Sequence, residues 1–235
     1  MRSRRSNPWP RVVSQDLLDA LLVDPFTAMN TVGLVAFALV GATKAMREEF
    51  DVFGVAVVGL VTAFAGGATR DLLVNRVPLA LRSLGEIGLG LLGVSLAVGL
   101  TVVLDSPDDH PVTLVSDAVG LAAFATAGAI VAVDTGVSGF GVVAIGTINA
   151  VGGGAFADIL LDRSPFILFD DFYASCAVLG GSTYWGVVAL GGAEGTAAVV
   201  CAAVTAGTRL VAVNYGWSLP TAQTLGLARH GADDR

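Results

Sequence analysis

Two segments put glycines just ahead of an aspartate: GGATRDLL at residues 66–73 and GGGAFADIL at residues 152–160. Gly66, Gly67, Gly152, Gly153 and Gly154 each weaken a helix by about 1 kcal/mol relative to alanine. A helix broken there exposes carbonyls and half-helix ends, groups that contact ions and small solutes in channels and transporters. The other reading of the same glycines is close helix packing through small residues. Asp71 and Asp158 follow the glycines, with Arg70 beside the first and Ala157 beside the second. Charge inside a membrane faces a cavity or a partner. One arrangement has Arg70 balancing one of the two carboxylates across a pseudo-twofold axis; another leaves all three as ordinary end-of-helix charges at headgroup level. Thr62 and Asn149 lie about one helical turn before the glycines, with Thr147 near them. Polar groups at matching depth line a pore or bond between helices. Lys44 is the only lysine of the chain. It snorkels from the end of an apolar run or guards a pore mouth.

Other chemistries have no residues to carry them. The only histidines are His110 and His230, neither inside an apolar run, so a Ser/His/Asp hydrolase site and a zinc site are not expected. No phosphate loop of the Gly-Lys-Ser/Thr type occurs. Cys176 and Cys201 sit in apolar runs and read as small buried hydrophobes. The net charge is −7 with no basic stripe, which argues against a nucleic-acid partner. No enzyme activity, no cofactor and no resident metal are expected.

The elements that must position these residues are apolar helices. Of 235 residues 54% are hydrophobic and 14% charged, and the mean hydropathy is +0.75. A soluble domain carries roughly 25% charged residues. Cutting the chain at its charges leaves seven long apolar stretches: Pro25–Thr43, Val52–Thr69, Ile87–Leu104, Ala118–Val133, Thr135–Ala157, Phe172–Ala193 and Gly195–Thr208. Most approach the ~20 residues a spanning helix needs, and the last extends through Val211–Val213 if Arg209 snorkels. Asp117 and Asp134 read as span boundaries. No period-two alternation suggests a β-barrel.

The chain repeats itself. Asn30–Leu81 aligns with Asp117–Leu168 without a gap, at a constant offset of 87 (30 to 117). Roughly twenty of about fifty positions are identical. The matched charged positions, Asp71 with Asp158 and Arg76 with Arg163, and the matched prolines Pro78 and Pro165 exclude shared composition as the cause. Three spans per repeat is an odd number, so the second repeat enters the membrane from the opposite side. The expected fold is an all-α integral membrane protein with seven transmembrane helices, two inverted three-helix repeats plus one extra (3+3+1). The expected boundaries are a tail at 1–27, repeat one at 28–108, repeat two at 112–192, the seventh helix at 194–215 and a tail at 216–235. Residues 12–24 read as a short interfacial helix or a disordered tail, and Asp105–Pro111 as an acidic turn. The arginines divide almost evenly between the two sides, so the positive-inside rule decides little.

GLVAFALVGATKA at residues 33–45, GGATRDLL, the second GGGAFADILL and the closing RLVAVNYGWSLP at 209–220 resemble one family. It is the prokaryotic branch of the trimeric intracellular cation (TRIC) channels, also labelled UPF0126 or glycine-transporter domain, a domain present twice per chain. The resemblance covers about residues 28–220. It implies a homotrimer in the cell membrane with one pore per protomer, running between glycine-kinked second and fifth helices. It further implies conduction of monovalent cations, potassium before sodium, bound only transiently, with the N-terminus outside and the C-terminus in the cytoplasm. By motif position the kinks fall at Gly66, Gly67, Gly152, Gly153 and Gly154, and the motif carboxylates are Asp71 and Asp158. The first motif has Ala65 where the family usually has glycine, and the second has Ala157 where arginine is usual. The second departure removes a positive charge and leaves a more negative pathway. The alternative function is a secondary transporter of glycine or another small zwitterion, its carboxylate held at a half-helix N-terminus. A non-conducting membrane scaffold is the third.

Overall fold

The computed structural model describes residues 24–103, 111–168 and 172–219. Among them run seven α-helices: α1 (Pro25–Arg47), α2 (Val52–Leu73), α3 (Leu84–Val103), α4 (Pro111–Asp134), α5 (Gly139–Leu160), α6 (Ala174–Ala189) and α7 (Glu194–Tyr215). Short 3₁₀ turns occupy Leu79–Leu81 and Phe166–Leu168, and the described residues contain no strand. The interfacial helix expected at residues 12–24 lies, except for Asp24, outside the described residues, as does the acidic turn before Pro111.

Six helices are long and apolar enough to cross a membrane. The exception is α6. Its 16 residues reach about 24 Å, short of the roughly 30 Å hydrocarbon core. The sequence suggests a full span there from Phe172 to Ala193. The helix instead starts after Tyr173 and stops at Ala189, ahead of a turn that holds Gly191 at φ 80°. The fifth span likewise begins at Gly139 rather than Thr135, because Gly136 turns the chain at φ 70° and Ser138 caps the new helix by accepting from the Gly141 N–H. Conversely, α7 is longer than its charge-free core suggests, since it carries Arg209 inside the helix.

Helix ends follow their capping residues. Asp24 accepts from the N–H groups of Phe26 and Thr27, with Pro25 at the first helical position. Asp51 caps α2 through the Gly54 N–H. Ser138 occupies the position equivalent to Asp51 in the second repeat, 87 residues on. The α1 and α4 helices are the most buried and form the centre of the protomer. Their contact is reciprocal. The Phe124 ring lies on Gly33 and the Phe37 ring on Gly120, and the two rings meet edge-on at 5.1 Å. A Cβ at either glycine would overlap the facing ring. Around this pair α2 packs on α1 and α5, α3 on α1, and α6 and α7 on each other and on α4. The seventh helix is thus seated on the second repeat.

Candidate pore between α2 and α5

The α2 and α5 helices cross at their glycines. A Cβ on Gly66 would be driven into the Asn149 carbonyl, and one on Gly153 into the Thr62 carbonyl. A Cβ on Gly152 would lie 3.1 Å from the Gly66 Cα. Both helices run through these positions without interruption. The unwound segment with free carbonyls expected from the sequence is therefore absent. The missing side chains let two backbones touch, and that packing offsets the intrinsic helix cost of glycine. Gly67 and Gly154 differ from these. The Gly67 Cβ position is 3.8 Å from both Asn149 Oδ1 and Arg70 Nη2, and that of Gly154 is 3.3 Å from the Phe166 ring.

Thr62 and Asn149 are fully buried at the crossing. The Thr62 hydroxyl donates to the Val58 carbonyl one turn back at 2.7 Å. The Asn149 amide donates to the Phe124 carbonyl of α4 at 2.6 Å, an interhelical bond. Asn149 Oδ1 has no hydrogen-bond partner among the described residues. It is a buried acceptor facing the Gly67 side of the crossing.

At the C-terminal end of α2, Arg70 and Asp71 are buried and pair with each other. Nε and Nη2 of Arg70 each lie 2.8 Å from Oδ1 of Asp71. The guanidinium stacks over the Phe26 ring at 5.3 Å. Asp71 Oδ2 accepts from the Leu79 N–H at 2.9 Å, so one carboxylate oxygen holds the cation and the other pins the 3₁₀ turn. The chain reverses between them through Asn75, at φ 56°. Nearby the Asn30 amide donates to Glu86 at 2.7 Å. The cavity at this end measures about 20 Å³, room for a single water.

The C-terminal end of α5 repeats the backbone and changes the charges. Asp158 Oδ2 accepts from the Phe166 N–H at 3.0 Å, and Asp162 reverses the chain at φ 54°. Oδ1 accepts from Lys44 Nζ of α1 at 3.1 Å. Lys44 also stands over the Phe166 ring, 4.8 Å from its centre. The pair equivalent to Asn30 and Glu86 is Asp117 and Tyr173, whose hydroxyl donates to Asp117 at 2.9 Å. Arg209 of α7 approaches Asp117 at 3.5 Å and stacks on Tyr173 at 4.6 Å. Lys44, Asp117, Asp158, Phe166 and Arg209 line an open cavity of about 470 Å³, as do Arg47 and Arg163. Arg163 is bonded to Glu48 at the end of α1.

The structure gathers Gly66, Gly67, Thr62, Asn149, Gly152 and Gly153 at one crossing, with Arg70 and Asp71 at one end and Asp158 and Lys44 at the other. Arg70 does not reach across to Asp158; its neighbour holds it. Lys44 does not snorkel outward; it turns into the cavity. Asp117 lies inside α4 rather than at its end, and Asp134 is the last residue of that helix. The charge missing at Ala157 does not leave Asp158 bare, because Lys44 supplies it. The sequence singles out neither Glu86 nor Tyr173, and Arg209 reads there only as a residue that snorkels from the seventh span. The first two were within reach, since the same offset that pairs Asn30 with Asp117 pairs Glu86 with Tyr173. Arg209 lies beyond the repeat, and its only signal is a charge inside an apolar stretch.

Known proteins share this architecture. A family model described as glycine transporter matches residues 27–105 and again 114–189. The UPF0126 membrane protein YvgT of Bacillus subtilis is 36% identical over 196 residues, 82% of this chain and 94% of its own. A structure solved to explain conductance through TRIC cation channels superposes with a TM-score of 0.76 at 34% identity, covering 83% of this chain and 95% of that one. A prokaryotic TRIC channel crystallised in 0.5 M KCl gives 0.75 at 28% identity, covering 83% and 98%. With the doubled family model, the curated relative and the inverted seven-helix fold in agreement, this multi-pass membrane protein belongs to the TRIC/UPF0126 family.

Proposed function

We propose that the protein is a passive channel for monovalent cations, potassium favoured over sodium, with one pore in each protomer of a homotrimer. The observation that carries this reading is the likeness, at 34% identity over 83% of the chain, to a protein solved as a TRIC cation channel. The geometry adds a route. The pathway runs along the α2–α5 crossing, past Asn149 and Gly67, between the charged clusters at the two ends. The backbone contacts at Gly66 and Gly153 separate the two cavities, so conduction requires α2 and α5 to part there. In the orientation that the family resemblance implies, with the N-terminus outside the cell membrane, the cavity around Lys44 and Asp158 faces the cytoplasm and the Arg70–Asp71 end faces out.

A carrier for glycine or another small zwitterion is the second reading. The description of the matching family model favours it. So does the larger cavity, where acidic and basic groups stand side by side to receive an amine and a carboxylate. Planar-bilayer recording of the purified protein, with a potassium gradient and glycine on one side, separates the two. Discrete current steps reversing near the potassium equilibrium potential support the channel. Silence at all voltages, together with saturable glycine uptake into liposomes from the same preparation, overturns it in favour of the carrier.

A further inference from the structure

The two ends of the crossing draw their positive charge from different positions. By the 87-residue offset Arg70 corresponds to Ala157, and Lys44 corresponds to Val131. Each end thus keeps a cation at one of two symmetry-related positions and an apolar residue at the other. Asp71 takes its cation from the adjacent residue of its own helix. Asp158 takes its cation from α1 of the other repeat. The surroundings differ in the same sense. Phe26, which covers the Arg70 guanidinium, corresponds to Thr113, a smaller residue on the wall of the larger cavity.

We infer that Lys44 is a selectivity-determining residue of the pathway: it stands in for the arginine that α5 lacks at position 157, neutralises Asp158, and thereby sets the charge of the vestibule a cation crosses. The inference rests on the channel reading. Lys44 and Asp158 both line the cavity of about 470 Å³, and the Lys44 side chain is 28% exposed. Asp158 Oδ2 is committed to the Phe166 N–H, so removing Lys44 leaves Oδ1 open to the vestibule. An unmatched carboxylate in a cleft concentrates cations and repels anions. The Debye length falls from about 10 Å at 0.1 M salt to about 3 Å at 1 M, so the effect fades with salt. The Arg70–Asp71 pair has no comparable influence, since it adjoins a cavity of about 20 Å³.

The test is single-channel recording from the full chain at about 50 mM and about 1 M KCl. Wild type is compared with K44M, K44Q, K44M/D158N and K44M/A157R. Both single variants are expected to raise unitary potassium conductance roughly threefold at low salt, with little gain at high salt, and to raise selectivity over chloride. K44M/D158N and K44M/A157R are expected to return to wild-type values. Wild-type conductance and selectivity in K44M and K44Q overturn the inference and leave the channel reading standing. So does a gain equal at both salts that survives in K44M/D158N, which would mean steric widening. A wild type silent at every voltage removes the channel reading and this inference together.

Discussion

Replacing Asp71 by asparagine should destabilise the protein far more than the same change at Asp158, although the two residues are repeat equivalents. The reason is where each cation sits. The Arg70 side chain is 2% exposed and that of Asp71 7%, so D71N strands a guanidinium in a nearly dry site. Breaking a buried pair from one side costs about 3–5 kcal/mol. The single amide oxygen that D71N leaves can serve the Leu79 N–H or the guanidinium, and the new amide hydrogens face a donor in either case. In D158N the orphaned Lys44 is 28% exposed and borders an open cavity, so water takes over its solvation. That loss is about 1 kcal/mol. A chain of this length loses roughly 2–4 °C of melting temperature per kcal/mol, so D71N should fall by about 6–20 °C and D158N by at most about 4 °C. Size-exclusion chromatography after graded heating in detergent reads both. The double variant R70M/D71N should recover most of the loss, because no guanidinium is left stranded and the asparagine oxygen is free to accept from the Leu79 N–H. Equal melting of D71N and D158N, or no recovery in the double variant, would refute the assignment of Arg70–Asp71 as the dry pair.

The glycines separate by role: G66A and G153A should lose the assembled protein, since overpacking a tight contact costs about 1–3 kcal/mol or more, whereas G67A meets nothing closer than 3.8 Å and should melt at or above wild type. Both outcomes are read from monodisperse yield and melting temperature. N149A removes the bond to the Phe124 carbonyl and should cost about 1–3 kcal/mol, while N149D, which offers no amide donor to that carbonyl, should cost at least as much in the same melting assay. Y173F deletes a hydrogen bond to Asp117 and keeps the ring between Phe166 and Arg209; about 1 kcal/mol of stability should go, visible as a small melting shift.

Much of this architecture is legible in the residues. Seven apolar runs give the seven helices, and the offset that matches Asp71 to Asp158 also matches Asn75 to Asp162 and Asp51 to Ser138, residues that turn or cap the chain at equivalent places. Two kinds of information are not legible. Close packing and helix unwinding both require the absence of a Cβ, so Gly66 and Gly153 read the same under either, and only the facing Asn149 and Thr62 carbonyls decide. Ion-pair partners are also hidden when they come from distant elements. Lys44 and Asp158 are 114 residues apart, and nothing near Asp158 announces the lysine. Arg209 is hidden for a related reason, because α7 has no repeat partner against which its charge would stand out.

The comparison of the two repeats separates what the fold requires from what was free to change. Each motif aspartate gives one oxygen to the first N–H of a 3₁₀ turn, at 2.9 Å in one repeat and 3.0 Å in the other. An N–H turned into a buried site must find an acceptor, so this clasp is needed wherever the chain folds back beneath α2 or α5. The second oxygen carries no such obligation to a fixed partner. In one repeat it binds an arginine on its own helix, and in the other a lysine from across the molecule. A pair within one helix survives any rigid motion of that helix. A pair between α1 and α5 does not, because separating those helices breaks it. The same motif thus fixes the charge pairing at one end of the crossing and makes that at the other end depend on how α1 and α5 sit together, a difference between the two repeats.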